Sequence, residues 1–405
     1  MSESTSNTRG WVVTFAALGI NLLAGVIYAW SVLGKALASQ RKWSKTEAVL
    51  PFAIATATFA ITMIFAGRLQ DKIGPRRVAM LGGVMLGLGY YLSSFMQAAN
   101  QMMATMGLVG VGLGLAYAAT TPAAIKWFSP SRKGLITGIV VSGVGLAAVY
   151  GSPLAEYLLR STSIPQTFQI IGIGCTVSVC LLAILVVNPS SVPTATPASG
   201  APAKPSTGNN LDWNEMLRTP QFYLLWLMFV LSASAGLMLI ANVATIAQSQ
   251  AGWKEGFIAV MVLACFNTAG RFVSGFVSDR IGRTRTMILF FLIQAANMFA
   301  FSLYKDPAFI IAGAALTGLC YGTIFTLMPA ATADFYGVRN LGVNYGLVFT
   351  AFGAAGVLGS LLGGRVSDWL GSYNAAYTVS GVMLVIGAAL AMVARAPKQV
   401  GQTAS

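Results

Sequence analysis

Arg271 closes the string Asn267-Thr268-Ala269-Gly270-Arg271, inside an apolar stretch that runs on to Gly275 and then to Asp279-Arg280-Ile281-Gly282-Arg283. A guanidinium cannot be deprotonated in a protein, so burial cannot neutralise it. At bilayer depth such a charge costs ~2.5–3.5 kcal/mol on insertion scales. The apolar part of the same helix holds no acidic residue to offset it. What an arginine offers there is anion binding, because its planar donor fork matches the two oxygens of a carboxylate. Asn267 stands one turn earlier on the same helix face. It could orient the guanidinium, bond a substrate hydroxyl or tie two helices together. Tyr28, Tyr117 and Tyr321 each place a ring and one hydroxyl within an apolar run, where they read either as cavity walls or as interfacial anchors. Phe352 offers an apolar wall, or simple helix packing.

Other chemistries find no support. Cys175, Cys180, Cys265 and Cys320 all lie in apolar runs, where a free Cys behaves as a small hydrophobe. The sequence has no histidine, no spacing suited to a metal, no phosphate loop and no nucleophile with a base beside it. Neither catalysis, a cofactor nor a metal site is expected.

The elements that hold these residues follow from composition. The chain of 405 residues is 56% hydrophobic and 9% charged, against about 25% charged in soluble domains. Apolar runs of the length that spans a bilayer occur near 11–33, 47–66, 78–97, 103–125, 134–158, 167–187, 221–245, 256–277, 286–304, 308–329, 341–363 and 374–394. The expected fold is an all-α polytopic membrane protein of twelve transmembrane helices in two six-helix bundles. The N-terminal bundle is expected over 1–187, a linker over 188–219 and the C-terminal bundle over 220–405. The linker carries Pro189, Pro193, Pro197, Pro202 and Pro205, and its end, Trp213 to Arg218, suits a short amphipathic surface helix. The polar stretch before the first run is short and shows no cleavage signal, so that run is expected to stay as a span.

The net charge of +14 does not indicate nucleic acid, because the basic residues sit in short loops between spans. With Arg271 set aside, sixteen of the 25 Lys and Arg fall on the side of both termini and eight on the other. The positive-inside rule then puts both termini in the cytoplasm, and the chain is expected to be an integral cytoplasmic (inner) membrane protein. Lys35, Arg41, Lys42 and Lys45 are expected in the first external loop, where they could raise the local anion concentration.

The halves repeat. Gly67-Arg68-Leu69-Gln70-Asp71-Lys72-Ile73-Gly74-Pro75-Arg76-Arg77 follows span 2, and Gly275-Phe276-Val277-Ser278-Asp279-Arg280-Ile281-Gly282-Arg283 follows span 8. Asp71 and Asp279 lie 208 residues apart, as a duplicated six-helix unit requires. The pattern resembles the signature of the major facilitator superfamily. There it implies a gating network at the cytoplasmic mouth, carried here by Asp71, Arg76, Asp279, Arg280 and Arg283.

A finer resemblance covers nearly the whole chain. Gly25-Val26-Ile27-Tyr28-Ala29-Trp30, Tyr117, Met216-Leu217-Arg218-Thr219-Pro220-Gln221-Phe222, Asn267 to Arg283, Asp334-Phe335-Tyr336-Gly337 and Asn344-Tyr345-Gly346 resemble the oxalate–formate antiporters and the monocarboxylate transporters. Among these, the bacterial proton-coupled L-lactate transporters are most similar. The resemblance implies alternating-access transport of a small monocarboxylate anion (L-lactate, pyruvate, acetate class) with a proton, by a monomer in the lipid bilayer. Its substrate-binding residues would be Arg271, Asn267, Tyr28, Tyr117, Tyr321 and Phe352. The alternatives are a small-carboxylate exchanger and a non-transporting membrane sensor. Where the oxalate carriers have a second cation in span 11, this chain has Phe352. Their cavity aromatics are replaced at Val144, Tyr321 and Phe325. The animal monocarboxylate transporters' lysine and aspartate fall at Val32 and Asn267, so their proton-handling pair is absent. Almost all eleven acidic residues lie at or beyond helix ends. Symport would need a titrating partner such as Asp334, Glu156 or water.

Overall fold

The computed structural model describes residues 3–128, 133–189, 211–337 and 340–395, apart from the side chains of residues 3–7, 71, 133 and 134. Most of the proline-rich linker, including Pro193, Pro197, Pro202 and Pro205, lies outside the described residues, as do Arg132, Lys204, Arg339 and Lys398 of the charge count. The described chain is helical: α1 (Glu3–Ala24), a 3-10 turn (Gly25–Ala29), α2 (Trp30–Arg41), α3 (Lys45–Ile73), α4 (Pro75–Ser93), α5 (Ala99–Ile125), α6 (Lys133–Ser161) and α7 (Ile164–Ala183). There follow α8 (Trp213–Leu217), α9 (Pro220–Ala251), α10 (Phe257–Ile281), α11 (Arg283–Phe301), α12 (Pro307–Tyr336), α13 (Leu341–Leu370) and α14 (Asn374–Val393).

Eleven stretches among the described residues are long and apolar enough to cross a membrane, the first being α1 to α2 over Thr8–Arg41. The twelfth long helix, α4, has 19 residues and opens on Arg76 and Arg77, which lower its hydropathy. These make the twelve transmembrane helices of an integral membrane protein. Packing repeats between the halves: α3 on α5 as α10 on α12, α4 on α7 as α11 on α14, and α1 on α6 as α9 on α13. The halves meet along α3 with α13, α6 with α10, and α2 with α9.

The repeated motif has a backbone cause. Gly74 (φ 85°, ψ 157°) alone joins α3 to α4, and Gly282 (φ 91°, ψ 158°) alone joins α10 to α11. That region of φ and ψ is essentially closed to residues with a Cβ. A reversal of two spans over one residue therefore demands glycine at both places.

Two expectations need correction. The first span is not one continuous helix over 11–33. It tightens to a 3-10 turn at Gly25–Ala29, where a Cβ on Gly25 would lie 2.5 Å from Ala147 Cβ and 2.9 Å from the Val144 carbonyl oxygen. A 3-10 break within a long helix is a frequent hinge, and this one carries Tyr28. Nor do Lys35, Arg41, Lys42 and Lys45 share a loop, because Lys35 and Arg41 belong to α2 and Lys45 begins α3. Arg41 donates to the Met96 carbonyl and Lys35 Nζ to the Lys254 carbonyl at 3.3 Å. The expected surface helix is α8, capped by the Asp212 side chain, with Trp213 exposed and Met216 buried. The Leu211 N–H donates to the Tyr336 carbonyl, which pins this segment to the end of α12.

Candidate substrate site

Arg271 stands mid-way along α10, and its side chain reaches across the interface. Nη1 donates to the Val141 carbonyl of α6 at 2.9 Å, and the guanidinium carbon lies 4.8 Å from the centre of the Phe325 ring. The arginine does not snorkel toward a membrane surface. With Nη1 committed, the Nε–Nη2 edge of the fork is left, and Nε is buried without a partner. Among the described residues no carboxylate pairs with it.

Two further polar atoms around it are also unpartnered: Asn267 Oδ1 and Tyr321 Oη. A buried polar group left unpaired costs about 1–3 kcal/mol, and these three are free to bond a further group. The hydroxyls of Tyr28, Tyr117, Tyr321 and Tyr345 all lie in the field of the Arg271 guanidinium. Tyr28 and Tyr321 approach one another across the two halves without reaching hydrogen-bond geometry. Arg271, Tyr28, Tyr117 and Tyr321 are thus brought together, with Asn267 one turn before Arg271 on α10 and its Oδ1 at the crossing with Gly322. The three tyrosines are buried or half-buried, not surface anchors.

Phe352 joins them through rings. It is fully buried, 5.7 Å from Phe325 in an edge-on pair and stacked 5.3 Å from Phe349 at 19°. One side of the site is therefore a cation with unpaired polar atoms, and the other is an aromatic wall. Such an arrangement can hold a small anion with an apolar end.

The framework behind it is a close crossing of α10 and α12. A Cβ on Gly270 would lie 2.0 Å from the Leu319 carbonyl oxygen, on Gly318 2.1 Å from that of Leu263, and on Gly322 2.0 Å from that of Asn267. Only glycine lets the backbones approach so nearly. Thr326 Oγ1 donates to the Arg271 carbonyl at 3.0 Å, adding a second tie. These glycines, Tyr345 and Phe349 were not singled out as site residues from the sequence. A Gly-x-x-x-Gly spacing at Gly318 and Gly322 was the available signal.

The residues of the expected gating motif lie apart from the site, at the end of the molecule nearer the termini. Arg283 bonds Asp279 at 2.7 Å and Asp334 at 3.4 Å, and also the Ser278 hydroxyl. Arg280 lies over the Phe276 ring at 4.0 Å. Arg76 is exposed, and the side chain of Asp71 is outside the described residues.

At the opposite end the halves are latched. The Asp368 carboxylate at the end of α13 accepts from Lys45 N (2.9 Å), Thr46 N (2.8 Å) and Thr46 Oγ1 (2.6 Å) at the start of α3. The carboxylate meets the positive end of the helix dipole there. Tyr373, beside this latch and beyond the spans, has its phenol raised above the ordinary value by burial and by the nearby Asp368 charge. It stays neutral at physiological pH.

Comparison with known proteins places the family and the fold. Residues 10–305 and 256–405 match the family model described as Major Facilitator Superfamily. The chain is 29% identical over 397 residues to an oxalate:formate antiporter of Oxalobacter formigenes, covering 96% of this chain and 92% of that protein. It is 24% identical to monocarboxylate transporter 13 of Rattus norvegicus, over 95% of this chain and 89% of that one. In fold it is similar to a bacterial homologue of the human lysosomal transporter Spinster, solved inward-facing and unoccupied. The TM-score is 0.74 at 14% identity, covering 95% of this chain and 97% of that one.

Proposed function

From the chain's membership of the major facilitator superfamily, to which it belongs along nearly its whole length, we propose that it is an alternating-access transporter of short monocarboxylates such as L-lactate, moving a proton with the anion. The observation that carries this reading is the half-used fork of Arg271, open along Nε–Nη2 beside unpaired Asn267 Oδ1 and Tyr321 Oη. The fork edge takes the carboxylate in two parallel bonds. Asn267 Oδ1 accepts from a hydroxyl on the next carbon, which favours a 2-hydroxy acid over a plain acid or a 2-oxo acid. The methyl end lies against Phe325 and Phe352.

Phe352 also supports the choice of a monocarboxylate. It leaves the site one fixed positive charge, enough to neutralise one carboxylate and not two. The bundles are taken as 1–187 and 220–405, joined by 188–219, and rocking of one against the other about the site exposes it to each face in turn. Both termini and the Asp279–Arg283 end are assigned to the cytoplasm of an inner membrane, and the Asp368 latch to the outside. On that assignment the close contact of α3 with α13 and the Asp368 latch close the outer end, which we read as an inward-facing state.

Proton coupling is part of the proposal, and charge balance says what it needs. The cation with a bound lactate is neutral, whereas the empty carrier returns positive, so electroneutral symport needs a proton carried elsewhere. The test is uptake of labelled L-lactate into proteoliposomes with an inward proton gradient. Symport predicts uptake that rises with the gradient. Uptake that ignores the gradient but requires carboxylate inside assigns the chain to the exchangers. Binding without counterflow would make it a sensor and overturn the transport reading.

A further inference from the structure

The phenylalanine wall of the site comes largely from the C-terminal half, through Phe325, Phe349 and Phe352. Phe59, on α3 of the N-terminal half, is buried among them. Its ring lies 5.6 Å from Phe349, 5.7 Å from Phe352 and 5.7 Å from Tyr117, edge-on in all three pairs. Phe59 therefore joins the wall that carries Phe325 to Tyr117, which lies in the field of Arg271. It closes the ring of side chains around the site at the seam of the two halves.

The seam changes character at this residue. On the outer side of Phe59, α3 and α13 are nearly in backbone contact. A Cβ on Gly353 would lie 3.3 Å from Ala57 Cα, on Gly356 1.9 Å from Thr56 Oγ1, and on Gly364 2.8 Å from Thr46 Cα, and the contact runs just past the ring to Ala60 Cβ, 2.9 Å from the Gly353 position. On the inner side, a Cβ on Gly67, Gly342 or Gly346 would meet nothing within 4 Å. The close approach of α3 and α13 is thus seen up to the level of Phe59 and Ala60.

We propose that Phe59 sets the length limit of the substrate. This inference rests on the carboxylate reading of the site. With the carboxylate held at Arg271, a carbon chain growing away from the cation runs into this ring, an aromatic that the N-terminal half adds beside α13. A hydrophobic pocket discriminates by the space it denies, and one methylene is worth about 10–200-fold. Because the ring sits on the moving half against the wall of the other, the same contact sizes the site in each closure.

The test compares uptake of labelled L-lactate and labelled 2-hydroxyhexanoate by wild type, Phe59→Leu and Phe59→Ala in proteoliposomes. The ratio of long to short acid should rise at least ~10-fold in Phe59→Ala, with Phe59→Leu between it and wild type. An unchanged ratio in variants that still carry L-lactate overturns the proposal. A second measurement is independent of transport. In a chain freed of its four native cysteines, Phe352→Cys is labelled with a small methanethiosulfonate in the presence and absence of Phe59→Ala. Removal of the ring should speed labelling at least tenfold, and equal rates overturn the proposal. If wild type carries neither acid, the carboxylate reading fails, while the labelling result still decides whether Phe59 seals the wall.

Discussion

Gly322→Ala tests whether the α10–α12 crossing positions the site. The added Cβ would lie 2.0 Å from the Asn267 carbonyl oxygen, 2.9 Å from its carbon and 3.0 Å from Asn267 Oδ1. Ordinary contact begins near 3.4 Å, so α10 must move by more than an ångström relative to α12, and the nearest obstacle is backbone that no rotamer change can clear. Overpacking of this kind typically costs about 1–3 kcal/mol. The larger consequence is local. Asn267 and Arg271 ride on α10, and a displacement of ~1 Å in a positioned group can cost ~100-fold in function. The variant, purified and reconstituted, should take up L-lactate with kcat/KM reduced about 10–100-fold, mostly through KM, and should melt at lower temperature. Gly346→Ala, whose Cβ meets nothing within 4 Å, is the matched control and should transport as wild type. A Gly322→Ala protein with wild-type KM would show that the close approach does not position the site.

Two other substitutions probe different parts. Asn267→Leu removes the acceptor Oδ1 and should erase the preference for L-lactate over propionate, a loss of about tenfold measured by competition. Equal preference in both proteins would remove the hydroxyl assignment. Asp368→Asn keeps an acceptor but loses the charge facing the α3 N-terminus. Exposure limits the effect to about 1 kcal/mol, roughly fivefold in the ratio of outer-closed to outer-open conformers. Distances between spin labels across the outer ends of α3 and α13 report that ratio, and an unchanged distribution would show that the latch is incidental.

The sequence carried the architecture because membranes demand it. Long apolar runs, basic loops and the repeated Gly74 and Gly282 turns need no tertiary information to be read. Arg271 was legible for the same reason, since a charge at bilayer depth is conspicuous on composition alone. Tyr28, Tyr117 and Tyr321 could be proposed but not paired, because residues on three separate spans meet only once the bundles are assembled. The 3-10 turn at Gly25–Ala29 escaped notice because its cause, a crossing with Ala147 and Val144, lies over a hundred residues away. Phe59 and Phe349 were hidden differently. In a chain that is 11% aromatic, nothing local separates a phenylalanine facing lipid from one facing the seam. Asp368 looked like an ordinary charge at a helix end, and only its contact with Lys45 and Thr46 shows that it joins the halves.

The central claim is that the free edge of Arg271 binds the carboxylate, and direct binding tests it best. Titration of L-lactate into purified protein, followed by the rise in melting temperature, compares wild type with Arg271→Lys and Arg271→Ala. The account predicts saturable stabilisation of wild type, at least ~10-fold weaker binding in Arg271→Lys because a point charge replaces a fork, and none in Arg271→Ala. A folded Arg271→Ala protein that bound L-lactate with wild-type affinity would contradict it.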